Sequence, residues 1–156
     1  MFYTHRLNSL FRVTSTLFEL FPGPSEKVWR QFTRRHPISY FLTSQFGFNP
    51  DTAEETDITG YMDGGNRTPF KVFHRLLQDY SRFDGREIAA QVQCPTLVVA
   101  GEDDCITPLS VQHDLVRRLP RGELAVIAEG SHNAHTDFPE EVNERIASFL
   151  EKSGHR

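Results

Sequence analysis

Two short apolar runs, Thr96-Leu97-Val98-Val99-Ala100 and Leu124-Ala125-Val126-Ile127-Ala128, constrain this chain more than anything else in it. Neither alternates polar with apolar residues. A continuous run of that length, closed in the first case by Gly101, suits a parallel strand buried on both faces. The stretch between them is helical in pattern: Thr107-Pro108 is expected to cap a helix running to Leu119, where Pro120 and Gly122 stop it. Strand, one crossover helix and strand make a right-handed βαβ unit, whose parallel strands lie about 4.8 Å apart if adjacent. A final helix completes the pattern, with Val142, Ile146, Phe149 and Leu150 on its apolar side. Asp137, with Glu140 three residues later, reads as its capping-box-like start.

Residues 1–91 have a different pattern, of helices separated by breakers. Leu7, Leu10, Phe11, Leu17, Phe18 and Phe21 recur at helical spacing before a Pro22-Gly23-Pro24 stop. Ser25 is expected to cap a second helix with Val28, Trp29 and Phe32 on its apolar side, ending before His36-Pro37. The apolar piece from Ile38 to Phe46 is a further helix candidate. Glu54 and Glu55 favour the first turn of another helix, Gly64-Gly65-Asn66 reads as a loop, and Thr68-Pro69 opens a helix with Phe70, Phe73, Leu76, Leu77 and Tyr80 on one side. Of 13 Phe, eleven lie in residues 1–83, which points to a dense helical core or an apolar pocket wall. The change of pattern divides the chain into residues 1–91 and residues 92–156. No internal repeat is visible.

The 156 residues suffice for one domain with a core, or for part of a larger one. A formal charge of −4 without a basic stripe argues against a nucleic-acid partner. Cys94 and Cys105 form neither a disulfide framework nor a zinc spacing, and Cys94, ahead of a strand, reads as a buried thiol. The start Met1-Phe2-Tyr3-Thr4-His5-Arg6 lacks the pattern of a signal peptide, and no run approaches 18 apolar residues, so no membrane role is expected. A cytoplasmic, reducing location fits two cysteines. His132 and His135 lack further Cys or His nearby, so no metal site is expected.

The chemistry lies in the loops at the strand ends. The first strand runs into Gly101-Glu102-Asp103-Asp104-Cys105-Ile106-Thr107-Pro108, the second into Glu129-Gly130-Ser131-His132-Asn133-Ala134-His135. Both loops leave the carboxyl ends of parallel strands, where open α/β sheets hold their ligands. An acid on one and a histidine on the next can meet. In nucleophilic hydrolysis the carboxylate fixes the imidazole tautomer and stabilises imidazolium, while the imidazole moves the proton. Asp103 and Asp104 compete for the first role, His132 and His135 for the second.

The order acid then histidine at successive strand ends matches the Ser…Asp…His order of the α/β-hydrolases. Cys94-Pro95-Thr96-Leu97-Val98-Val99-Ala100-Gly101-Glu102-Asp103-Asp104 resembles that family's seventh strand with its acid turn. Gly130-Ser131-His132, then Phe138-Pro139, Asn143, Ile146 and Phe149-Leu150, resembles its histidine loop and last helix. The resemblance covers residues 92–151 closely, while residues 1–91 match in general character the helical cap inserted before that strand. It implies a partial α/β-hydrolase fold: a helical cap followed by a C-terminal βαβα unit with parallel strands. It also favours Asp104, three residues after the turn glycine, and His132, directly after Gly-Ser, as the acid and base.

No Gly-x-Ser-x-Gly nucleophile elbow occurs in the sequence. Ser25 is read as a cap, Ser131 lies on the histidine's own loop, and Cys105 adjoins the acid. The resemblance therefore implies the C-terminal portion of a serine-type hydrolase for a small, largely apolar ester or related carbonyl substrate. It needs no cofactor, and its substrate-binding residues are unknown. The isolated chain is expected to be inactive unless an N-terminal half completes it. The alternative is a non-catalytic module acting through self-association or through a separately encoded N-terminal half. Two strands alone leave an open edge, so a homo-oligomer is expected.

Overall fold

The structure, a computed structural model, describes residues 15–34 and 36–154. The expectations for Leu7, Leu10 and Phe11 lie outside the described residues. Residues 15–20 are helical (α1). They are followed by α2 (Pro22–Thr33), α3 (Pro37–Gly47), α4 (Glu55–Arg67), α5 (Phe70–Arg82), α6 (Arg86–Ala89), β1 (Thr96–Gly101), α7 (Leu109–Arg118), β2 (Gly122–Ile127), α8 (Ala134–Asp137) and α9 (Pro139–Lys152). These elements fall into two compact units. Unit 1 joins the residues up to Tyr40 with Thr59–Asp84; unit 2 joins Phe41–Ile58 with the residues from Gly85 onward. Phe41–Ile58 and Gly85–Gln91 thus cluster with the strands, so the contacts divide the chain elsewhere than the change of pattern at residue 91.

Unit 2 contains the expected βαβα arrangement. β1 and β2 pair in parallel from Thr96 opposite Gly122 to Gly101 opposite Ile127. The ladder is bracketed by Thr96 N–H donating to Arg121 C=O and Glu102 N–H donating to Ile127 C=O. Its core is Ile127, wholly buried, with Ala134 and Val142, against which Val99 and Phe138 pack. Burial on both faces of the strands is not found: in β1 only Ala100 and Gly101 are buried, the rest being half-buried. A two-stranded ribbon with helices against it has too little width to hide both faces among the described residues. Cys94 is exposed rather than buried.

Two caps read from sequence are reassigned. α7 begins after Pro108 with no side-chain cap, because the Thr107 hydroxyl donates to Asp104 instead. α9 begins after Phe138, also without one, because the Asp137 carboxylate turns to the amides of Ser131 and Asn49.

Unit 1 corrects several further expectations. Pro22-Gly23-Pro24 starts α2 rather than stopping a helix, in keeping with the tolerance of proline in a first turn, where its missing N–H is no loss. Ser25 lies inside α2. It and Thr33 are the residues of that helix that are buried, their hydroxyls donating to the carbonyls of Phe21 and Trp29 four residues back. The covered stripe is therefore Ser25–Trp29–Thr33, while Val28 and Phe32 are exposed. Trp29 stacks on Phe73 at 4.0 Å and its Nε1 donates to Thr68 C=O. Gly64-Gly65-Asn66 is the last turn of α4, closed by the Thr68 hydroxyl on Gly64 C=O. On α5 the covered side runs through Phe70, Phe73, His74, Leu77 and Gln78, with Leu76 and Tyr80 off it. His74 bonds the Ser15 hydroxyl at 2.7 Å, and Phe18 meets Phe70 edge to face at 5.0 Å. The phenylalanines do not form one dense core: Phe48 and Phe70 are buried, while Phe21, Phe32, Phe41, Phe46 and Phe83 are exposed.

Candidate active site

The site is built where the two strands of unit 2 end. β1 ends on Gly101, β2 ends on Ile127 and leads through Glu129 into Gly130, and the two turns nearly touch. A Cβ on Gly101 would lie 2.1 Å from Ser131 O and 2.3 Å from Gly130 O; one on Gly130 would lie 3.1 Å from the Gly101 Cα. Only glycine allows that approach. Asp103 N–H donates across it to Gly130 C=O at 2.9 Å. Glu129 turns the chain with a φ of 57°, left-handed backbone that a non-glycine residue adopts at a cost of about 1–2 kcal/mol.

The approach brings two of the sequence candidates together. His132 Nδ1 lies 3.0 Å from Asp104 Oδ2. Asp104 is buried, and its two oxygens accept four hydrogen bonds: Oδ1 from the amides of Ile106 and Thr107, each at 2.8 Å, and Oδ2 from the Thr107 hydroxyl at 2.6 Å and from His132. Burial pushes the carboxyl up. The bonds from Thr107 hydroxyl and amide, His132 and Ile106 outweigh it and hold Asp104 below the ordinary Asp value. An ionised carboxylate only accepts, so His132 Nδ1 carries a proton, and in the neutral ring Nε2 is the nitrogen with a lone pair. Such a ring can take a proton at Nε2 and have the resulting imidazolium stabilised by the carboxylate at Nδ1.

The runners-up are not brought into this pair: Asp103 and His135 are both exposed. Ser131 is buried, with its hydroxyl donating to Gly47 C=O at 2.9 Å, and Cys105 is exposed with Sγ 3.6 Å from Phe46 O. Beside the two loops lies a cleft of about 450 Å³ lined by Phe46, Asn49, Asp51, Asp103, Cys105 and Glu129 among others; neither Asp104 nor His132 lines it. Among the described residues no group of three or more His, Cys, Asp or Glu is arranged to hold a metal ion. No helix among them is long and apolar enough to cross a membrane.

Sequence reasoning missed four contributors. Thr107 was legible in principle, since Asp-x-x-Thr lets an aspartate accept from the backbone and hydroxyl three residues on. Asp137 carried a misleading signal, its position ahead of a helix. Gly47 and Asn49, far away in sequence, carried none.

Residues 80–155 match the family described as TAP-like protein. Serine hydrolase BPHL of Mus musculus is 36% identical over 66 residues, which are 42% of this chain and 23% of that protein. The AB hydrolase superfamily protein YisY of Bacillus subtilis (strain 168) is 33% identical over 66 residues, 42% of this chain and 25% of the relative. The matched stretches thus span about a quarter of those relatives' length. The bromoperoxidase from Bacillus anthracis superposes with a TM-score of 0.67 at 18% identity, over 83% of this chain and 49% of that one, a likeness of fold. The fold is that of an α/β-hydrolase core, in part. In sequence, residues 80–155 and the aligned segments are similar to members of the α/β-hydrolase superfamily.

Proposed function

We propose that this chain supplies the acid and the base of a serine-type α/β-hydrolase acting on a small, largely apolar ester or related carbonyl compound. The observation that carries the reading is the 3.0 Å Asp104–His132 contact at successive strand ends, with the carboxylate charged and fully bonded. Asp104 would hold the Nδ1–H tautomer, and His132 Nε2 would take the proton of a hydroxyl nucleophile and return it to the leaving group. The name of the mouse relative, a serine hydrolase, supports the same chemistry. The nucleophile would come from a Gly-x-Ser-x-Gly elbow that these 156 residues do not contain.

The test is hydrolysis of activated short-chain esters by the purified chain, alone and mixed with a polypeptide carrying the strands and elbow of an α/β-hydrolase. The chain alone should match an imidazole control, and any activity gained on mixing should vanish with His132→Ala. Turnover by the chain alone, blocked by a serine-directed phosphonate with the label on Ser25 or Ser131, would overturn the reading.

A second reading, favoured by the exposed apolar side chains of Val28, Phe41, Phe46 and Leu76, is a non-catalytic module that associates with itself or with a separately encoded N-terminal half. Mixing separates the two: light scattering that shows association, with itself or with such a half, and no gain in ester hydrolysis supports the module, and hydrolysis that depends on His132 excludes it.

A further inference from the structure

His132 is exposed over 36% of its side chain, and its ring is hydrogen-bonded to Asp104. The backbone sets the direction of the His132 Cα–Cβ bond and so whether a favoured χ1 rotamer reaches Asp104, which makes the groups that hold the residues on either side decisive for the contact. Both sides are held from one place, the C-terminal end of α3. On one side, Ser131 N–H donates to Asp137 Oδ2 at 2.8 Å, and the Ser131 hydroxyl donates to Gly47 C=O. On the other, Asn133 reaches the same carbonyl with its side-chain amide at 2.7 Å and its backbone N–H at 3.1 Å. Asp137 closes the arrangement. Its second oxygen, Oδ1, accepts Asn49 N–H at 2.9 Å, and the Asn49 side chain donates to Glu129 C=O.

We propose that Asp137 is a positioning residue whose carboxylate bridges Ser131 N–H and Asn49 N–H and so keeps the His132 ring directed at Asp104. The assignment rests on reading Asp104 and His132 as the acid and base. Asp137 is 5% exposed, and within its own unit it joins segments 88 residues apart in sequence. A charged acceptor makes stronger bonds to backbone N–H than a neutral one, and two amides are engaged by one group. Asparagine at this position keeps the shape but presents one oxygen and an NH₂, so one of the two amides would face a donor.

The experiment uses the full chain labelled for NMR and monitors three signals: the His132 Nδ1 proton, the amides of Ser131 and Asn49, and the amides of β1 and β2. With Asp137→Asn, exchange of the Nδ1 proton with water should rise roughly tenfold, the equivalent of one hydrogen bond of about 1.4 kcal/mol, while the strand amides keep their shifts and protection. An unchanged Nδ1 proton would overturn the assignment. So would strand amides that lose protection in step with it, since Asp137 would then only hold the unit together. If Asp137→Asn does not fold, Asp137→Glu keeps the charge, sets the carboxylate one methylene out, and is read by the same signals. Asp104→Asn is the control for the underlying pair: an Nδ1 proton indifferent to Asp104 would sink the acid–base reading, whatever Asp137 does.

Discussion

Unit 2 buries Ile127 completely and closes Ala134 and Val142 around it, whereas unit 1 leaves Val28 at 63% and Leu76 at 61% exposure and buries Ser25 and Thr33. The contrast is one of geometry, not of composition. A strand in a parallel ladder has its side chains assigned to faces by a two-residue period, and its pairing fixes where it lies. A helix has only a rotation to choose. α2 buries Ser25 and Thr33, whose hydroxyls are satisfied on their own helix's carbonyls, and it meets α5 through Trp29 stacked on Phe73. Periodicity established that α2 and α5 are helices. Which stripe is covered depended on how closely they approach.

The largest effect should come from the glycine contact of unit 2. Gly101→Ala sets a methyl group 2.1 Å from a backbone oxygen, so the two turns must part. A loss of about 3 kcal/mol or more is expected in denaturant unfolding of unit 2, with loss of the Asp104–His132 contact and little change in the amide signals of unit 1. A variant that unfolds like the parent would mean that the two turns do not need their close approach.

A paired substitution sharpens the comparison at a smaller scale. Ile127→Ala removes a wholly buried side chain and should cost about 3 kcal/mol. Leu76→Ala, on the open side of α5, should stay within about 0.5 kcal/mol. Equal losses at the two positions, measured by chemical denaturation, would show that Leu76 is covered in solution.

Legibility in the sequence divides along the same line. The strands, their parallel pairing, α7 and α9 were legible because apolar runs and breakers are local signals. That an acid and a histidine would meet was legible because both loops leave neighbouring strand ends, while the choice of Asp104 and His132, which the structure brings to 3.0 Å, came from the family resemblance. The rest of the site was not. Asp137 has the local pattern of a cap, and its true partners are the amides of Ser131 and of Asn49, the latter on a distant segment. Ser25 failed for the opposite reason: proline one turn earlier had already begun the helix.

The smallest effect concerns acid. Asp104 is held below the ordinary Asp value of about 3.9, so on acidification the unfolded chain takes up this proton before the folded one does. Its contribution to stability is therefore fully present above the ordinary value and is lost as pH falls through the lowered one. Asp104→Asn has no such proton to take up. It should make unit 2 less stable than the parent near pH 7, with the gap narrowing steadily below pH about 4. Asp114, also lowered, chiefly by its hydrogen bond from Arg118, is present in both proteins and drops out of the difference. The measurement is the denaturant midpoint of the β2 amides at several pH values, with unit 1 amides as the internal reference. A gap that stays constant with pH would mean that the Asp104 carboxyl is no more acidic in the folded chain than in the unfolded one. The bonds from Thr107, Ile106 and His132 would then offset its burial and nothing more.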